Sequence, residues 1–251
     1  MLIKQFLKVF TGYKSDSASL TVVGVGPGDP SLLTIAALNA IKKAKVIVFP
    51  ISDDNKKSFA AEIVKKHTKF KKNVPIIFPM AREGFDPDEI WSNAVKKIVK
   101  FIKNGESVVL LCLGDTSLFA SSSNILRIIK NTYPEIITKT IPGISSLSAA
   151  AALNDFDLVK KGETLIIKEC PSSNSELTSL IRESKGNKTV LAIMKVGKRW
   201  KLVRETLEKE DIIKTSLIAL SVGMPDQIIQ YASKYKKDFM PYFSLILIRL
   251  H

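Results

Sequence analysis

Three short segments set glycine beside polar or acidic residues directly after apolar runs. They are Gly24-Val25-Gly26-Pro27-Gly28-Asp29-Pro30, Leu113-Gly114-Asp115-Thr116-Ser117-Leu118 and Pro142-Gly143-Ile144-Ser145-Ser146. Glycine lets the backbone take positive φ and approach a ligand closely. An acid after glycine at a strand end can hold a hydroxyl or ammonium group, and the amides at a helix start form a polar platform. Alone, each segment serves equally well as a tight turn or a capped helix start; together they suit binding and orientation of a ligand. Covalent chemistry has no visible partners. The two histidines are His67, among Lys65, Lys66 and Lys69, and His251 at the last position. Cys112 and Cys170 lie far apart in sequence, which excludes a disulfide scaffold and a cysteine zinc site. No ligand spacing predicts a metal. A dinucleotide loop of the Gly-x-Gly-x-x-Gly kind requires glycine where Asp29 stands, and Pro27 stiffens the turn, so a nicotinamide cofactor is disfavoured.

The elements that must carry these loops alternate. Strands are predicted at 20–25, 46–49, 74–78, 107–113, 136–141, 164–168, 190–194, 216–222 and 243–248. Residues 32–44 have apolar positions 32, 33, 35, 36, 40 and 41 on one helical face. Asp29-Pro30 reads as the cap and first residue of that helix, and Asp86-Pro87 as those of a helix over 86–104 ended by Gly105. Shorter helices are predicted at 148–152 and 200–209. The alternation predicts an α/β protein with largely parallel pairing. So many strands suggest two α/β lobes meeting near residues 116–124, with an extension at 1–19, a first lobe at 20–117 and a second at 118–251.

The chain has 251 residues, 45% apolar and 25% charged, with 12 Gly and 11 Pro. That excludes disordered, collagen-like and disulfide-rich classes. Thirty-eight basic against 24 acidic residues leave +14, and only six of the basic residues are Arg. A lysine field is diffuse; it favours an anionic partner but fits a solvated surface equally well. Specific nucleic-acid recognition leans on the Arg fork, so no nucleic-acid partner is predicted. No apolar stretch approaches the roughly 20 residues of a membrane span. The start, with Leu2, Ile3, Phe6, Leu7 and Phe10 between lysines, reads as a loose extension or a surface helix and not as a secretory signal. A cytoplasmic protein without a membrane partner is expected.

The three loops, in this order and in these contexts, resemble the tetrapyrrole methylases over about residues 20–249. Phe78-Pro79-Met80, Tyr133-Pro134, Pro225-Asp226-Gln227 and Pro241-Tyr242-Phe243-Ser244-Leu245-Ile246-Leu247-Ile248-Arg249 are similar to the branch that methylates C(20) of precorrin-2 in corrin synthesis. The resemblance implies two α/β lobes with a cofactor cleft between them, a homodimer, and S-adenosyl-L-methionine as cofactor. It implies that Pro27 lines the cleft, that Gly114, Asp115 and Leu118 surround the methionine part, and that Ser145 and Ser146 contact the cofactor from the second lobe. Met194 and Ala219 match positions beside the adenosine. The implied acceptor is an anionic reduced tetrapyrrole, with Arg82, Lys195 and Lys198 as candidate carboxylate partners. The family commonly has Gly-Asp-Pro in the second loop and often a tyrosine soon after; here Thr116 and Phe119 stand instead.

Overall fold

The protein is described from a computed structural model over residues 18–52, 57–78 and 86–250. Its described residues form two compact units. The first comprises 18–26 and 30–144, the second 27–29 and 145–250.

The first unit is built on five parallel strands: β1 (Ser19–Gly24), β2 (Val46–Ile51), β3 (Lys72–Ile77), β4 (Val108–Cys112) and β5 (Ile137–Ile141), in the order β3-β2-β4-β1-β5. Helices α1 (Ile35–Lys43), α2 (Phe59–Thr68), α3 (Pro87–Lys103) and α4 (Ser122–Thr132) link them. Alternate strand residues serve opposite faces. Leu20, Val22, Val46, Val48, Val108 and Leu110 pack with Ile98 of α3 and Ile125 and Ile129 of α4. Val23, Ile47, Val109 and Leu111 pack with Ile41 of α1 and Val64 of α2. The chain therefore leaves β1 and β4, neighbours in the sheet, for opposite faces. Between the carboxyl ends of two such strands an open α/β sheet offers a ligand crevice.

Local sequence explains most of the helix ends. Asp86 caps α3 by accepting from the Asp88 amide at 2.9 Å, Pro87 follows, and Gly105 ends the helix with φ 77°. Asp29-Pro30 does not start α1 as predicted. Pro30–Leu32 forms one 3₁₀ turn instead, and Thr34 caps the helix through a 3.0 Å bond from the Ala37 amide.

The second unit holds β6 (Thr164–Glu169), β7 (Thr189–Met194), β8 (Leu217–Leu220), β9 (Ile228–Tyr231) and β10 (Ser244–Arg249), in the order β6-β7-β10-β8-β9. Only β6 and β7 run parallel; the other pairs are antiparallel. The expectation of largely parallel pairing thus holds in the first unit and fails here, because β8, β9 and β10 follow one another without intervening α-helices. One face of this sheet packs Leu191, Ile193, Ile218 and Ile246 on α6 (Asn174–Ser184) and α7 (Trp200–Lys209). A short helix, α5 (Ser146–Ala152), opens the unit. Arg249 pairs with Glu163, bonds the Asp157 carbonyl and stacks on Phe156, which ties the last strand to the segment before β6.

The division falls between residues 144 and 145 and not near 116–124. The Ser-rich stretch leads into α4 and on to β5, which pairs with β1 and completes the first sheet. No helix among the described residues is long and apolar enough to cross a membrane.

Trp200 is the largest fully buried side chain; its indole N–H donates to the Lys237 carbonyl at 2.9 Å and its ring meets Tyr235 edge-on. Trp200→Ala is expected to cost about 3–5 kcal/mol, read as a lower denaturation midpoint in urea with far-UV dichroism.

Candidate functional site

The carboxyl ends of β1, β4 and β5 meet through their backbones. Val25 donates to the Cys112 carbonyl at 2.9 Å, and Gly26 and Gly114 exchange bonds of 3.2 and 2.8 Å. A Cβ at Gly24 would lie 2.5 Å from the Gly143 nitrogen and 2.8 Å from the Gly114 oxygen; one at Gly143 would lie 2.2 Å from that oxygen. No side chain fits between them, so Gly24 and Gly143 are required by close approach. Gly114 has another reason: its φ is 74°, and a Cβ there would meet nothing within 4 Å. The turn after β4 thus presents bare backbone to open space.

Asp115 braces this arrangement. Its Oδ2 accepts from the Gly143 amide at 2.9 Å, and Oδ1 accepts from the Ser117 amide at 2.8 Å and from the Ser117 hydroxyl. Burial pushes the Asp115 carboxyl up, but the bonds from Ser117 and Gly143 outweigh it and hold the group below the usual carboxylate range. Its oxygens are engaged in joining the β4 and β5 loops. Cys112 lies beneath, its thiol 3.6 Å from the Asp115 carbonyl, and burial pushes that thiol up. Leu118 is half-buried, and Phe119 is exposed with φ 50°.

The second unit gathers another set. Pro27 is buried, and the next residue, Gly28, packs so tightly on Gly223 that a Cβ on it would lie 2.6 Å from the Gly223 carbonyl carbon. Ser145 caps α5, accepting from the Ser148 amide at 3.2 Å and sharing a 2.9 Å bond with the Ser148 hydroxyl; Ser146 is the first residue of that helix. Met194 and Ala219 sit in one row, because both are register partners of Leu245 in β10. Register partners share a face, and this face lies opposite the one that packs α6 and α7. Leu245 and Gly223 were missed by sequence reasoning. The apolar run 245–248 is the signal for the first, and nothing local marks the second. Lys195 pairs with Glu169 at 3.6 Å, Lys198 is exposed, and Arg82 lies outside the described residues.

The chemistry available here is non-covalent. Among the described residues no group of three or more His, Cys, Asp or Glu could hold a metal. In the first unit the turn after β4 offers bare peptide groups of the kind that a zwitterionic ligand end needs. In the second unit Ser145 and Ser146 offer hydroxyls at the start of α5, and Met194, Leu245 and Ala219 form an apolar row.

A family described as Tetrapyrrole (Corrin/Porphyrin) Methylases matches residues 19–233. A probable cobalt-precorrin-2 C(20)-methyltransferase of Methanocaldococcus jannaschii is 37% identical over 145 residues, 58% of this chain and 61% of that protein. The cobalt-precorrin-2 C(20)-methyltransferase of Salmonella typhimurium is 24% identical, over 92% of this chain and 96% of its own length. The X-ray structure of a cobalt precorrin-4 methyltransferase covers 92% of this chain and 95% of its own with TM-score 0.70 at 18% identity, which speaks to the fold.

Gly143→Ala should destabilise the first unit by at least the roughly 1–3 kcal/mol of an overpacked core, seen in urea melts. The folded Asp115 carboxyl lies below its unfolded value of about 3.9, so the stabilisation is complete above that value and is lost as pH falls through the folded one. The stability gap between wild type and Asp115→Asn should therefore be full at neutral pH and narrow below about pH 4.

Proposed function

The chain belongs to the tetrapyrrole (corrin/porphyrin) methylases, and we propose that it transfers a methyl group from S-adenosyl-L-methionine to C(20) of precorrin-2 or its cobalt-containing counterpart, in corrin synthesis. The observation that carries this reading is the extent of the likeness to the Salmonella enzyme, 92% of this chain and 96% of that one. The family match, over residues 19–233, spans all three glycine-bearing loops.

When bound, the cofactor supplies a methyl group on a positive sulfur; transfer breaks the sulfur–methyl bond, forms a carbon–carbon bond and leaves a proton to be lost from the accepting carbon. The protein's share is orientation, which can amount to about 7–11 kcal/mol when reacting atoms are held in line at roughly 3–3.5 Å. Gly114 and its neighbours offer backbone groups to the methionine end, with Leu118 beside them and Ser145 and Ser146 as hydroxyl partners. Asp115 shapes that loop through Gly143 and Ser117. Pro27, Met194 and Ala219 serve the adenosine side, which needs apolar walls and exclusion of water. Arg82, Lys195 and Lys198 are candidate partners for the acceptor's carboxylates. Of these, Lys198 is exposed, while Lys195 must share its charge with Glu169. A cytoplasmic homodimer accords with the biosynthetic role, and sedimentation tests the pairing.

The decisive assay offers labelled cofactor with freshly made precorrin-2 and with cobalt-factor II, and locates the new methyl by NMR. Label at C(20) of one of them is expected. Label at another ring carbon, or cofactor binding without turnover on either, would overturn the assignment.

A further inference from the structure

The motif Pro225-Asp226-Gln227 has no part in the chemistry above, yet both of its polar side chains are committed to one turn. The turn follows β8, two residues beyond Ala219. Ser221 sits in the left-handed region at φ 49° although it carries a side chain, and Gly223 follows at φ 76°. The Ser221 hydroxyl donates to Asp226 Oδ2 at 2.9 Å, and the Gly223 amide donates to Gln227 Oε1 at 2.7 Å. Backbone bonds complete the loop: Ser221 N–H to the Phe243 carbonyl at 2.8 Å, Met224 N–H to Ser221 at 2.9 Å and Gln227 N–H to Met224 at 3.0 Å. On this turn rests the segment 27–29. A Cβ on Gly223 would lie 2.6 Å from the Asp29 nitrogen and 3.1 Å from the Gly28 nitrogen, and one on Gly28 would lie 2.8 Å from the Val222 oxygen. Backbone meets backbone, so the segment fits only if the turn keeps its shape.

We infer that Asp226 and Gln227 are positioning residues: they latch the 221–224 turn in the one shape that seats Pro27–Asp29, and through that segment set the affinity for the cofactor. Neither side chain need touch the ligand. The hydroxyl bond offsets the unfavourable φ of Ser221, and the amide bond fixes the glycine against which Gly28 lies. The inference rests on the cofactor reading above for its effect on affinity, but not for the latch itself.

The test uses the full chain and S-adenosylhomocysteine as the probe, by calorimetry, with hydrogen exchange at Gly28 and Asp29 in the ligand-free protein. The double variant Asp226→Ala, Gln227→Ala should bind about tenfold or more weakly, as expected for two lost hydrogen bonds, and exchange faster at those amides. Asp226→Asn and Gln227→Glu each retain an acceptor oxygen and should restore most of the affinity. In turnover, KM for the methyl donor should rise while kcat holds, a split that a simple loss of stability would not give. Single Gln227→Ala serves if the double variant does not fold. Unchanged exchange and affinity in the alanine variants, or conservative variants as weak as alanine, would overturn the latch. If wild type binds no S-adenosylhomocysteine, the cofactor reading fails instead, and exchange at Gly28 and Asp29 still decides the latch.

Discussion

The site of the first unit depends on a contact between backbones. Gly24, Gly114 and Gly143 come from the ends of three parallel strands, and Gly24 and Gly143 approach each other and the Gly114 carbonyl more closely than a side chain on either permits. Because β1 and β4 are neighbours whose helices lie on opposite faces, their loops must diverge above the sheet; glycine lets them first come together and then part. Asp115 converts that proximity into a fixed geometry, since one carboxylate accepts amides from two loops at once. Its depressed pKa has the same physical origin: donors aimed at the charged form outweigh the cost of burial.

The structure gives the acidic residue of the second loop a bracing part within the protein. A glycine–aspartate pair at a strand end reads naturally as a ligand contact, and sequence could not separate that from bracing. The carboxylate's three donors come from Ser117 and Gly143, the latter 28 residues away.

Elements with strong local signals were legible: Asp86-Pro87 at the start of α3, Gly105 at its end, and the β-branched runs of the first sheet. Those decided by distant partners were not. The four-residue β9 has too few positions to show alternation and exists because it pairs with β8. The start of α1 was misplaced because Asp29 and Pro30 look like a helix start, whereas segment 27–29 is held by Gly223, nearly 200 residues on. The break between units was set too early because β5, after α4, closes the first sheet by pairing with β1, a partnership no local pattern announces. Of the site residues, the glycines were visible as types, while the reason for each, close approach at Gly24 and Gly143 but positive φ at Gly114, needed the fold.

The most direct measurement is a crystal structure of the protein with S-adenosylhomocysteine. Ligand atoms are expected within hydrogen-bond distance of backbone groups in the turn after β4, with Asp115 still accepting from Gly143 and Ser117. Ligand bound away from that turn, or an Asp115 carboxylate released from Gly143 to grip the ligand itself, would contradict it.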